Sequence, residues 1–229
     1  MEAIVLAGGL GTRLRSVVKD VPKPMALVNG RPFLEYILDQ LNSHKFNKVI
    51  LAVGYKSEII TNHFGNNYKN MDIQYSIEAS PLGTGGAIKK ALDTCSTDHV
   101  YILNGDTYLN LNFTEIETLW QLKKKPIIVA RHIENRSRYG ALITKEYCGD
   151  TVVIDFKEKG TPTPGLINSG CYVCQRNIFS DFPRDNFSFE SDYILPNAPH
   201  KLFLAYRYDG KFIDIGIPSD YEKVQTLLN

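Results

Sequence analysis

Several things are scarce or missing in this sequence, and each absence excludes something. No apolar stretch approaches the roughly 20 residues needed to cross a bilayer as a helix, so no membrane span is expected. Neither sign of charge is in excess, with 26 Lys and Arg against 25 Asp and Glu over 229 residues. A near-neutral chain without a basic block lacks the electrostatic footprint of a dedicated nucleic-acid binder. The longest basic run, Lys123-Lys124-Lys125, reads as a solvated helix end. The opening Met1-Glu2-Ala3-Ile4-Val5-Leu6 has no positive segment and reads as a buried strand rather than a signal peptide. A cytoplasmic location with free thiols is therefore expected. Cysteine is rare, with four in all. Cys171 and Cys174 form a close pair, but no second pair and no closely spaced His accompanies them. Zinc requires four ligands, so a structural role is preferred for both.

What remains is an ordinary globular composition, 43% hydrophobic and 22% charged, long enough to bury a substantial core. Apolar runs at 2–7, 48–53, 73–77 and 100–103 read as strands. Residues 32–43 (Pro32 taken as the first helical position), 56–64 and 85–93 read as helices between them. This alternation predicts a parallel sheet covered by helices, with ligands at the carboxyl ends of the strands. Beyond residue 125 strands predominate, at 127–130, 140–143, 152–156, 166–173 and 202–208, followed by a helix at 218–228. No repeat or linker divides the chain. The expectation is one α/β domain, Rossmann-like, with a mixed, mostly parallel sheet and a β-rich second half (1–125 and 126–229).

The first strand runs into Leu6-Ala7-Gly8-Gly9-Leu10-Gly11-Thr12-Arg13-Leu14. Its glycines allow a tight turn whose N–H groups approach an anion, and Arg13 adds a planar fork suited to phosphate. A dinucleotide fingerprint would need glycine where Leu14 stands, and the Gly-Lys-Ser/Thr of a P-loop is absent. A tight turn without a ligand is the bland alternative. Pro22-Lys23-Pro24-Met25 then holds a lysine between two restraining prolines. Together these segments resemble the sugar-phosphate nucleotidyltransferases, which join a nucleoside triphosphate to a sugar 1-phosphate and release pyrophosphate. The resemblance covers nearly the whole chain. It implies that the Gly-rich loop wraps the nucleotide, that Arg13 holds the departing pyrophosphate and that Lys23 neutralises charge at the α-phosphate.

Asp106, in Asn104-Gly105-Asp106-Thr107, follows a buried strand, and Asp214, in Ile213-Asp214-Ile215-Gly216, follows another apolar stretch. A carboxylate so placed is costly unless it meets a cation or a ligand crevice. The family's Gly-Asp and Asp-x-Gly motifs match these two aspartates, implying that they hold Mg²⁺. An Asp-x-Asp glycosyltransferase is the rival, but Asp106-Thr107-Tyr108 lacks the second aspartate. The resemblance further places Glu158 and Lys159 on the sugar and its 1-phosphate. The family motif usually continues with proline, where this chain has Gly160. Asn168, in Asn168-Ser169-Gly170, is placed on the sugar with Gly140.

The segment Glu78-Ala79-Ser80-Pro81-Leu82-Gly83-Thr84-Gly85-Gly86 matches the family's base-recognition segment, adding Glu78, Pro81, Gly83 and Thr84, with Gly105, to the nucleotide contacts. Its glycines are expected to bring backbone close to the base. A carboxylate at Glu78 could accept from both N1–H and the exocyclic amino group of guanine, whereas uracil and thymine offer one donor. Capping the nearby turn is the alternative role. Residues 15–25, 30–36 and 78–90 are similar to one branch, the heptose 1-phosphate guanylyltransferases, which make GDP-heptose for bacterial surface polysaccharides. The expected substrates are thus GTP and a sugar 1-phosphate, and the resemblance is compatible with a homodimer. Other sugar 1-phosphate nucleotidyltransferases and a non-catalytic relative are the alternatives.

Overall fold

The computed structural model describes every residue except Leu10, Arg15, Ser16, Lys19 and Asn229, and only the backbone of Thr12. The expected contributions of Leu10 to the loop motif, of the Thr12 side chain to the nucleotide and of residues 15, 16 and 19 to the branch resemblance lie outside that description.

Along the chain run β1 (Glu2–Leu6), β2 (Leu27–Val28), β3 (Arg31–Pro32), α1 (Phe33–Ser43), β4 (Lys48–Val53), α2 (Ser57–Phe64), β5 (Asn67–Tyr68), β6 (Met71–Ile77), α3 (Gly83–Leu92), β7 (His99–Asn104), β8 (Thr107–Leu109) and α4 (Phe113–Lys123). There follow β9 (Ile127–Ile133), β10 (Ala141–Tyr147), β11 (Asp150–Lys157), β12 (Gly165–Gln175), a π-helical turn at Phe189–Ile194, a single turn α5 (Leu195–Asn197), β13 (Leu204–Arg207), β14 (Phe212–Asp214) and α6 (Pro218–Leu227).

Ten strands form one sheet in the order β10-β11-β13-β9-β12-β7-β1-β4-β6-β5. Strands β7, β1, β4 and β6 are mutually parallel, as the alternating first half predicts. Strand β12 pairs antiparallel with β7 and joins the second half onto that parallel core. The sheet is buried on both faces because its strands carry apolar residues at successive positions. In β1, Ala3 and Val5 pack on one face with α1, α2, α4 and α6, while Ile4 packs on the other with α3 and the Phe179–Phe203 segment. Cys171 and Cys174 are fully buried, free, and on opposite faces of β12. Three residues along a strand reverse the side-chain direction, so the pair cannot converge on a metal.

Two local expectations need correction. Pro32 ends a two-residue strand and caps α1 from outside, so the helix starts at Phe33. Helix α4 was anticipated only at its basic end, Lys123–Lys125, and its body was not read: Phe113, Ile116 and Trp120 face the core, but Leu122 is 74% exposed and blurs the apolar stripe. Asn112 starts α4 by accepting from the Thr114 N–H at 3.2 Å, and Lys124 ends it in the left-handed region (φ 50°), the usual N- and C-terminal devices.

Candidate active site

A cavity of about 640 Å³ opens at the carboxyl ends of β1, β4, β6 and β7. That is where a doubly wound sheet places its ligands, where the chain order reverses across β1. Its wall contains Leu6, Ala7, Gly8, Gly9, Gly11 and Arg13 of the first loop, Lys23, Glu78, Pro81, Gly83, Thr84 and Asp106. Sequence reasoning missed Gly54 and Tyr55 in the same wall. A signal was available, because Gly54-Tyr55 directly follows the apolar strand β4, as the glycine loop follows β1.

Each part is held there for a local reason. Gly11 has φ +60°, and a Cβ on it would lie 3.1 Å from the Lys23 Cβ, so the loop rests against the lysine's stem. Pro22 precedes and Pro24 lies within a 3₁₀ turn, Lys23–Met25, closed by Met25 N–H to Pro22 C=O (2.8 Å) and Ala26 N–H to Lys23 C=O (3.0 Å). Strands β8 and β14 form a separate antiparallel ribbon whose register sets Asp214 opposite Thr107. The Ile215 N–H donates to the Asp106 carbonyl at 3.0 Å. Two carboxylates distant in sequence thereby become neighbours.

Lys23 bridges them. Its ammonium contacts Asp106 Oδ2 closely and lies 3.6 Å from Asp214 Oδ1, with its side chain only 11% exposed. Burial pushes the Asp214 carboxyl above its ordinary range and the Asp106 carboxylate adds to this; Lys23, the Gly216 N–H (2.7 Å) and Arg138 oppose it. Like charges this close are stable only with a cation between them. The lysine is that cation, and the arrangement fits a hard divalent ion equally well, since both donors are carboxylate oxygens. No third His, Cys, Asp or Glu joins them among the described residues. Such an ion would take its remaining positions from water and phosphate oxygens, as Mg²⁺ characteristically does.

The base-side segment is built differently from the sequence expectation. Glu78 Oε2 accepts from the Leu82 N–H at 2.9 Å, so the carboxylate does cap the turn. It also lines the cavity, with Oε1 2.9 Å from where a Cβ on Gly8 would stand. Capping uses one oxygen and leaves the other for a ligand. The glycines that follow make room for protein. A Cβ on Gly83, Gly85 or Gly86 would collide with Phe187 or Asp185, at 2.4, 2.2 and 2.1 Å respectively. The N–H groups of Gly85 and Gly86 donate to the Phe187 carbonyl. The Thr84 hydroxyl donates to Glu190 at 2.6 Å and accepts from the Phe189 N–H at 2.9 Å, so its hydrogen is committed within the protein. Gly105 is buried behind the wall: its N–H donates to the Leu6 carbonyl, and a Cβ there would sit 2.7 Å from that oxygen.

The four sugar-side candidates lie outside this cavity wall. Glu158 and Lys159 are exposed just beyond β11. Their loop is tied to the 139–140 segment by the Gly160 N–H on the Tyr139 carbonyl (3.0 Å), and the Asn168 N–H donates to the Gly140 carbonyl (2.8 Å). Gly170 has φ +76° and presses against Asn104, a wall residue. Through Gly140, Asn168 and Gly170 this group of candidates connects to Asn104 in the cavity wall.

Residues 2–229 match the nucleotidyl transferase family model. The chain belongs to that family. Nucleotidyl transferases of this family generally use a divalent metal, in keeping with the paired aspartates. The chain is 45% identical over its whole length to a D-glycero-alpha-D-manno-heptose 1-phosphate guanylyltransferase of Aneurinibacillus thermoaerophilus, covering 98% of that protein. It is 42% identical to the enzyme of that name from Campylobacter jejuni subsp. jejuni, over 96% of this chain and 97% of that one. The crystal structure of HddC from Yersinia pseudotuberculosis complexed with GMP-PN superposes with a TM-score of 0.87, at 37% identity and covering 100% and 99% of the two chains. No helix among the described residues is long and apolar enough to cross a membrane.

Proposed function

We propose that this nucleotidyl transferase is a sugar 1-phosphate guanylyltransferase that converts GTP and D-glycero-α-D-manno-heptose 1-phosphate into GDP-heptose and pyrophosphate, in the cytoplasm and with Mg²⁺. The observation that carries the reading is the Asp106–Lys23–Asp214 cluster beside the Gly-rich loop in one cavity. The full-length likeness to two heptose 1-phosphate guanylyltransferases supports the choice of nucleotide and sugar. Residues 1–125 supply most of the nucleotide cavity, and residues 126–229 supply the sugar side together with Asp214.

A phosphate oxygen of the sugar 1-phosphate attacks the α-phosphorus of GTP in line, and pyrophosphate leaves. The attacking phosphate is already anionic, so no protein base is required and catalysis rests on positioning and charge neutralisation. Asp106 and Asp214 would hold Mg²⁺, whose charge offsets that of the phosphates. Arg13 holds the departing pyrophosphate. Lys23 neutralises charge at the α-phosphate, and the first loop cradles the chain of phosphates. Glu78 accepts from the guanine edge with its uncommitted oxygen. Glu158 and Asn168 hold sugar hydroxyls, and Lys159 meets the 1-phosphate.

The direct test is pyrophosphate release with Mg²⁺, each of the four nucleoside triphosphates and a panel of sugar 1-phosphates. Release with GTP and heptose 1-phosphate at least tenfold above every other pair is expected. Preference for another nucleotide overturns the guanylyl assignment, and preference for another sugar overturns the heptose.

A further inference from the structure

One partly buried carboxylate, Glu190, belongs to no motif that the sequence offered, yet it bonds both to the start of α3 and to the strand that carries Asn168. It lies on the π-helical turn Phe189–Ile194 and accepts three hydroxyl hydrogens. Two come from the base side and its own turn: Thr84 at 2.6 Å and Ser188 at 3.1 Å, both on Oε2. The third comes from Tyr172, on Oε1 at 3.1 Å. Tyr172 is only 1% exposed, and its hydroxyl in turn accepts from Asn168 Nδ2 at 2.7 Å. Burial holds the Tyr172 phenol well above its ordinary range, with the Glu190 charge adding to it, so the hydroxyl keeps its hydrogen.

An ionised carboxylate accepts and never donates. Its place at the end of this relay therefore fixes every direction upstream. Tyr172 must donate to Glu190, and is then free to accept from Asn168. The Asn168 amide is thereby turned with nitrogen towards Tyr172 and oxygen towards the Gly170 N–H, which it accepts at 3.1 Å. One N–H hydrogen of Asn168 remains for a ligand. Without the carboxylate, the Tyr172 hydrogen has no fixed acceptor, and the orientation of the Asn168 amide rests on the Gly170 N–H alone.

We infer that Glu190 is a positioning residue for the sugar substrate, acting through Tyr172 to hold the Asn168 amide with a donor available to a sugar hydroxyl. The inference rests on the sugar role of Asn168 in the reading above. The Thr84 arm anchors the carboxylate to the start of α3, so the sugar-side amide is oriented from the base side of the cleft.

The test is a double-mutant cycle on steady-state kinetics, with thermal unfolding followed for every variant. Tyr172→Phe removes a single oxygen from the relay and is expected to raise KM for the sugar 1-phosphate about tenfold, the worth of one hydrogen bond. KM for GTP should move less than about twofold, because the Phe187 carbonyl still holds the start of α3. Glu190→Ala should give a similar rise, and Glu190→Gln, which keeps one acceptor, a smaller one. Because both residues act in series, the double variant should match Tyr172→Phe alone rather than multiply the two effects. Multiplied effects, or equal rises in both KM values with a lowered Tm, overturn the relay and leave Glu190 as packing. If Glu190→Ala does not fold, Tyr172→Phe and Glu190→Gln still decide. A wild-type protein inactive with every substrate pair overturns the functional reading and the role of Asn168 with it. An active wild type whose sugar KM is unmoved by Tyr172→Phe overturns the relay alone.

Discussion

The nucleotide side and the sugar side of this cleft are built by different means. On the nucleotide side, the carboxyl ends of four parallel strands deliver Gly8, Gly54, Glu78 and Asp106 to one cavity of about 640 Å³. The strands there are fixed by ladder bonds, and Lys23 is already paired with Asp106 and Asp214. On the sugar side, Glu158 and Lys159 stand exposed on a loop, and Asn168 depends on a chain of side-chain bonds. The contrast is between a cavity framed by strand ends and a set of candidates carried on a loop and on side-chain bonds.

Substitutions can break or sharpen that contrast. The largest effect is expected on the preorganised side: Asp106→Ala should lower pyrophosphate release on the order of a thousandfold while leaving the circular dichroism spectrum unchanged. Near-normal turnover in that variant would remove the basis for the whole site. Lys23→Ala should lower kcat on the order of a hundredfold and raise KM less, if the lysine acts mainly in the transition state. The same variant leaves two carboxylates facing each other without their cation. Its Tm in EDTA should drop by roughly 2–4 °C, the shift that about 1 kcal/mol gives in a chain of this size, and recover with Mg²⁺. Lys159→Ala, on the open side, should raise KM for the sugar 1-phosphate about tenfold and leave KM for GTP unchanged. An equal change in both would mean that the two sides are not separable. The smallest effect is expected for Glu78→Gln, with GTP-over-UTP selectivity, as the ratio of kcat/KM values, falling several-fold, roughly to the extent of one weakened hydrogen bond. Unchanged selectivity would leave Glu78 as a turn cap only.

Much of the nucleotide side was legible in the sequence because its signals are local. A run such as Glu2–Leu6 followed at once by glycines and a cation, or His99–Asn104 followed by Asp106, announces a buried strand that ends in something polar. Glu78 could be seen to lie in the base segment, but whether it capped the turn or faced a ligand was undecided by spacing alone. The structure gives it both positions. The glycines at 83, 85 and 86 were read towards the base alone, and Gly83 does line the cavity, but they also serve a protein contact. Their missing side chains admit Asp185 and Phe187, a contact made about a hundred residues away along the chain, and nothing in the local pattern reports it. Glu190 was invisible for the same reason, since its three donors come from Thr84, Tyr172 and Ser188. Helix α4 was read only at its basic end, because an exposed Leu122 broadens its apolar stripe until the period is lost.

The β8–β14 ribbon carries a further consequence, one of timing. Lys23 and Asp106 are 83 residues apart, and Asp214 joins them from a strand that forms only after the whole ten-stranded sheet has been traversed. Contacts of such long separation carry a high loop-closure cost and form late. A folding chain with β1, β4, β6 and β7 already assembled would possess the nucleotide cavity and its lysine, yet only one of the two aspartates. The charge cluster therefore depends on the last strand of the chain: without the β8–β14 ribbon the cavity would keep its lysine and only one of its two aspartates.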